Sequence, residues 1–129
     1  MRTQSNLVRI PILLALALFL SLPVYGENGI IEKRDHVCMM QDSVMEKPGV
    51  PVQYEGRTYY GCCPMCSGKI TSQPEKYTKA KDPVTQVTVD KATALLYGYN
   101  GRAYYFDSEA SRATFSENPG KFVQTAAAP

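Results

Sequence analysis

The soft-metal donors of this chain are gathered in one stretch. His36, Cys38, Met39, Met40, Met45, Cys62, Cys63, Met65 and Cys66 comprise all four cysteines, the single histidine and every methionine beyond Met1 in 129 residues. Thiolates hold borderline and soft cations, but only when three or four donors converge at about 2.3 Å from one ion. Cys62 and Cys66 stand about one helical turn apart, so at the start of a helix both sulfurs can face the same point. Cys38 must then arrive from an upstream extended segment. A helix N-terminus beside them adds roughly half a positive charge, which favours thiolate over thiol. Thioethers are poor ligands for Zn(II) and good ones for Cu(I), so the neighbouring methionines tilt the chemistry toward Cu(I). Zn(II) and another soft heavy metal ion are the alternatives. Cys63 and Met65 are candidate further donors or exchange ligands, and His36 is a weaker candidate.

The elements that must position these donors can be read from an internal repeat. Tyr54-Glu55-Gly56-Arg57-Thr58-Tyr59-Tyr60 and Tyr99-Asn100-Gly101-Arg102-Ala103-Tyr104-Tyr105 align without gaps, and the same offset pairs Ile70 with Phe115, Pro74 with Pro119, and Tyr77 with Phe122. A duplicated unit follows. In each copy two short runs of β-branched and aromatic residues flank a turn signal, Glu55-Gly56 or Asn100-Gly101, which predicts a β-hairpin. A helix comes next. Ser108 caps one running through Glu109 to Glu117 with Asn118-Pro119 as its stop, while Cys63 takes the cap-like position before Pro64 in the first copy and Gln73-Pro74 ends that helix. The tyrosines at the hairpins are expected as core and rim, and Arg57 and Arg102 as partners of carboxylates or carbonyls. The fold class is therefore α+β: two small units, each a β-hairpin followed by a short helix, sharing one aromatic core.

The run Tyr-x-Gly-Arg-x-Tyr-Tyr-Gly-Cys62-Cys63-x-x-Cys66, the Pro-x-x-Tyr that ends at Tyr77, and the upstream Val37-Cys38-Met39 resemble the YHS and TRASH group of small metal-binding domains. That resemblance implies treble-clef-like units and a role in sensing, trafficking of or resistance to copper and other heavy metals. It carries Cys38, Cys62 and Cys66 over as ligands and reserves no place for Cys63. The second copy resembles the same group in outline, from Asp82-Pro83-Val84 to Pro119, with Thr85, Asp107 and Ser111 in the ligand places. The expected division is a signal peptide over 1–26, a metal-binding unit over 27–80, a cysteine-free degenerate unit over 81–123 and a disordered tail over 124–129. In this register the first spacer is the longer one, and Pro48, Gly49 and Pro51 mark an extra loop. Asp107 with Glu109 offers, at most, a weak site for a hard ion.

Composition narrows the rest. Arg2 and Arg9 precede an apolar run from Ile10 to Leu22 that is too short to span a bilayer and reads as an export signal cleaved near Gly26. The expected location is periplasmic or secreted, without stable membrane insertion after cleavage. Loss of the signal leaves twelve basic and twelve acidic residues, which gives no electrostatic footprint for nucleic acid. One histidine supports no Ser-His-Asp or Cys-His-Asn set, so an enzyme is not expected. Cys63-Pro64-Met65-Cys66 has the spacing of a thiol oxidoreductase, yet the repeat leaves no room for the βαβ framework such an enzyme needs. Four cysteines in an exported chain can also form two disulfides. The competing reading is therefore a structural or interaction module, an accessory subunit stapled by disulfides or by zinc. On the leading reading the partners are the metal ion and a membrane protein that donates or accepts it.

Overall fold

The computed structural model describes residues 28–126. The expected signal segment, 1–26, and the last three residues of the expected tail lie outside them. In chain order the elements are β1 (Gly29–Ile30), a 3-10 turn (Arg34–His36), β2 (Val37–Cys38), β3 (Ser43–Val44), β4 (Val50–Tyr54), β5 (Arg57–Gly61), α1 (Pro64–Ser72), α2 (Pro74–Tyr77), β6 (Lys79–Lys81), β7 (Thr88–Asp90), β8 (Leu95–Tyr99), β9 (Arg102–Phe106), α3 (Glu109–Glu117) and α4 (Pro119–Ala126). The class is α+β.

Both hairpins form where the turn chemistry put them. Glu55 and Gly56 have φ of 47° and 72°, and Asn100 and Gly101 have 51° and 76°. Two successive left-handed residues make the turn whose twist matches paired strands, and glycine takes the second place at no steric cost. Register follows, with Val52 opposite Tyr59 and Leu96 opposite Tyr105, all four buried.

The helices also start and stop on local signals. Ser108 Oγ accepts from the Ser111 N–H and caps α3, and Pro64 opens α1 behind Cys63. Pro74 and Pro119 end one helix and begin another, because a fixed φ suits a first helical position as well as a stop. As a result α4 runs through Ala126, so residues 124–126, expected in the tail, are helical. Phe122 holds α4 against Phe115, with ring centroids 6.0 Å apart.

The two halves interlock. One antiparallel sheet has the order β1-β8-β9-β3-β2, so upstream strands flank the downstream hairpin on both sides. β6 runs across the expected boundary at 80/81 and pairs with β7. A shared core draws Val37, Met39, Val52, Tyr59 and Ile70 from the first half and Ala94, Leu96, Ala103 and Tyr105 from the second, while Phe106 and Phe115 are buried outside it in an aromatic group of the second half. The arginines after the turns reach across as well: Arg57 pairs with Asp90 at 2.6 Å and Arg102 with Asp42 at 3.8 Å. Ile70 and Cys66 share the buried face of α1, four residues apart. Burying an isoleucine contributes about 1.5–3 kcal/mol, and here it also fixes the rotation of α1 that aims Cys66 inward.

Candidate metal centre

β5 delivers Cys62, the first turn of α1 delivers Cys66, and β2 delivers Cys38. Their three sulfur atoms all lie within 4.8 Å of one another, with Cys62 Sγ and Cys66 Sγ 3.6 Å apart. Thiolates bound at about 2.3 Å to one ion stand about 3.8 Å apart in a tetrahedron and about 4.0 Å in a plane. The triangle therefore needs little adjustment to close on an ion. All four cysteines are free thiols; Cys38 and Cys66 are buried, while Cys62 is exposed and leaves one side of the triangle open to solvent.

Cys38 reaches this point through backbone hydrogen bonding on both sides. The N–H of Met39 donates to the carbonyl of Tyr60 at 2.8 Å and ties the strand to β5, while Val37 and Cys38 pair with Val44 and Ser43. Burial pushes the Cys38 thiol up, but N–H groups of Gln41, Cys62 and Met40 outweigh it and leave the pKa below the ordinary cysteine value. Such N–H groups stabilise a thiolate, as they do in metal-binding turns. Cys62, bonded to the sulfurs of Cys66 and Cys38, is pushed up to about 12. Burial raises Cys66. One sulfur whose thiolate is favoured thus faces two whose protonated forms are favoured, and a bound cation must displace those protons.

Gly61, the residue before Cys62, makes the close approach feasible. A Cβ there would collide with Cys66 Cβ and stand 3.2 Å from Cys66 Sγ. At the matching place in the second hairpin Phe106 is fully buried and packs on Phe115. Sequence inspection did not single out Gly61, although a glycine between an aromatic pair and two cysteines, set against Phe106, was the available signal.

The other candidate donors differ in how near they come. Cys63 lies outside the triangle with its sulfur 3.6 Å from Cys66 Sγ, and hydrogen bonds from the N–H and sulfur of Cys66 lower its pKa. Met65 is 77 % exposed on the first turn of α1. Met39 is fully buried in the core, so it fills space there. His36 Nδ1 is 3.2 Å from the Met45 carbonyl oxygen and is not part of the cluster.

In the second half, Asp107 and Ser111 meet Asp82, not Thr85. Ser111 Oγ donates to Asp82 Oδ2 at 2.5 Å, the Asp107 N–H donates to the same oxygen at 2.9 Å, and the N–H groups of Val84 and Thr85 donate to Asp82 Oδ1. Cys38 takes N–H groups two and three residues ahead and that of Cys62 in the same pattern. Thr85, 47 residues after Cys38, does not take the place of Cys38; Asp82, 44 residues after it, does. With Asp82 as the counterpart, the spacers are 23 and 24 residues, so the first holds no extra loop. Burial pushes the Asp82 carboxyl up, but donation from Ser111 and the N–H groups outweighs it and holds the acid below its usual range. The oxygens expected for a hard ion are engaged internally: Asp107 with Ser108 and Ser111, and Glu109 with Arg112.

Comparison with known proteins adds one match: a YHS domain is detected over residues 80–126, the half that contains Asp82, Asp107 and Ser111. No curated protein and no solved structure matches the chain. A YHS domain points to heavy-metal binding, and the chain's own cluster of Cys38, Cys62 and Cys66 can hold such an ion.

Proposed function

We propose that this chain is an exported, non-enzymatic metal-binding protein that captures, buffers or delivers a soft metal ion, Cu(I) first among the candidates. The observation that carries the reading is the convergence of three sulfurs within 4.8 Å from two separate segments. Three thiolates without a carboxylate or imidazole favour a soft ion over Mg(II) or Ca(II). Exposed Cys62, with Cys63 and Met65 at the rim, leaves a side from which another thiolate or thioether can attack the ion, so transfer proceeds by stepwise ligand exchange. Export rests on the N-terminal apolar run, and the donor or acceptor is a membrane protein.

The second half is proposed to be a degenerate copy of the same treble-clef-like unit. Asp82, Asp107 and Ser111 replace the three cysteines there, and their mutual hydrogen bonds take over the cross-linking that a metal performs in the first half. The alternative, a fold stapled by zinc or by disulfides, uses the same cysteines and differs in which ion is kept and whether it exchanges.

The test is metal content and thiol count on the purified chain, followed by anaerobic titration with Cu(I) and with Zn(II). One tightly held Cu(I) per chain that passes to an added thiol ligand is the expected result. Two disulfides with no Cu(I) bound after anaerobic titration would overturn it, and one non-exchanging Zn(II) would select the structural alternative.

A further inference from the structure

The turn that presents Cys38 is gripped by the other half of the chain. Residues 39–42 follow Cys38 directly, and Asp42 among them has a φ of 54°, a left-handed conformation that an aspartate adopts only with support. Lys91 supplies part of it. Although only 3 % exposed, it donates from Nζ to the Met39 carbonyl at 2.8 Å and to Asp42 Oδ1. The Tyr105 hydroxyl donates to the same Asp42 oxygen at 3.0 Å, and the Tyr105 ring lies 5.1 Å from Lys91 Nζ. The backbone closes the grip: the Ala103 N–H donates to the Asp42 carbonyl at 2.8 Å, and the Val44 N–H to that of Gly101 at 2.9 Å. Lys91 is itself held, since the Arg34 guanidinium donates to the carbonyls of Lys91 and Ala94, both at 2.6 Å.

An ammonium group is costly to take out of water unless it is paired, and a hydrophobic core of this size has no need of one. Its two acceptors are the ends of a single turn, the first and last residues of 39–42. Holding both fixes the turn whose N–H groups at Met40 and Gln41 face the Cys38 sulfur. We infer that Lys91, Asp42 and Tyr105 form a positioning clamp, through which the YHS-matching half sets the metal affinity of a site whose ligands lie entirely in the other half. The clamp touches no ligand sulfur. It acts by keeping Cys38 in reach of Cys62 and Cys66, as outer partners of a metal site orient the ligands in front of them. The inference rests on the metal-binding reading proposed above.

The test compares the full chain with Lys91→Met, Tyr105→Phe and Asp42→Asn, measuring Cu(I) affinity by competition with a chromophoric chelator and amide hydrogen exchange of the metal-free proteins. Lys91→Met should weaken binding by about 10–100-fold, the usual cost of losing an outer partner. Exchange at Met40 and Gln41 should speed up while β8 and α3 stay protected. Asp42→Asn keeps an acceptor for both donors and tolerates the left-handed turn but leaves the buried ammonium without its counter-charge, so it should also weaken binding, by less than Lys91→Met. Should Lys91→Met fail to fold, Tyr105→Phe removes one hydroxyl only, and the same local loosening with a smaller loss of affinity is expected. Wild-type affinity in both variants, or exchange rising equally across β8, β9 and α3, overturns the clamp. If the wild-type chain binds no metal, the functional reading fails, and exchange confined to residues 40 and 41 still decides the clamp.

Discussion

Replacing Gly61 with alanine tests whether close packing of β5 on α1 builds the sulfur triangle. The added methyl would collide with Cys66 Cβ and lie 3.2 Å from its sulfur. Carbon atoms in ordinary contact stand about 3.5–4.0 Å apart, so Cys66 must retreat by about 1 Å or more. The edge from Cys62 to Cys66, now 3.6 Å, would then open past what an ion with bonds of about 2.3 Å can bridge, since bound ligands tolerate about 0.2 Å. The expected loss is 100-fold or more in affinity, or about 2.7 kcal/mol or more. Overpacking adds a cost of about 1–3 kcal/mol to folding itself, which for a domain of this size lowers the melting temperature by roughly 4–8 °C per kcal/mol. Thermal melts with and without stoichiometric Cu(I) separate the two effects. Wild type should gain stability with metal and Gly61→Ala should gain almost none. A variant that melts with wild type and binds Cu(I) as tightly would refute the steric argument.

Further substitutions and pH provide independent checks. Cys38→Ser, Cys62→Ser and Cys66→Ser should each abolish tight binding, whereas Cys63→Ser only weakens it and slows transfer; equal loss from Cys63 and Cys66 in a chelator competition would mean the triangle is not the site. Because Cys62 at about 12 and Cys66, also raised, hold their protons at neutral pH, metal entry must displace both. Affinity should then rise by about 100-fold or more per pH unit between roughly pH 6 and 8, and a flat profile in the same competition would contradict the thiol assignments. Asp82→Ala removes the acceptor of four hydrogen bonds and should cost about 3 kcal/mol in denaturant unfolding, with metal stoichiometry unchanged. Asp82 and Asp90 both have pKa values below the usual carboxylate range, so folding favours their ionised forms. The stability they contribute is present above the unfolded value of about 3.9 and is lost as pH falls through the lower folded values, which an acid titration followed by circular dichroism would read.

Local features were legible because each is encoded within a few residues. Glu55-Gly56 and Asn100-Gly101 fixed the hairpins through positive φ, and Ser108, Pro64, Pro74 and Pro119 marked the helix ends. The sulfurs of Cys62 and Cys66 were bound to lie near each other at a helix start. Pro119 was read as a stop alone, and α4 was missed because the anchoring of Phe122 on Phe115 is a tertiary contact. Thr85 was placed where Asp82 belongs because spacing alone does not show which side chain a loop turns inward; the fixed offset itself falls on Pro83, between the two.

By itself, then, the sequence determined the class of chemistry and the local elements, since donor type, turn residues and capping are properties of short segments. Only the tertiary structure decided which donors meet. Cys38 is brought in by an edge strand of a sheet that both halves build, Met39 is buried in the core, Cys63 stays beside Cys66 at the rim of the triangle, and Lys91 is buried behind the turn. The physical reason is that convergence across more than twenty residues depends on how helices and strands pack against one core, and on a missing side chain at Gly61 that lets two of them come close.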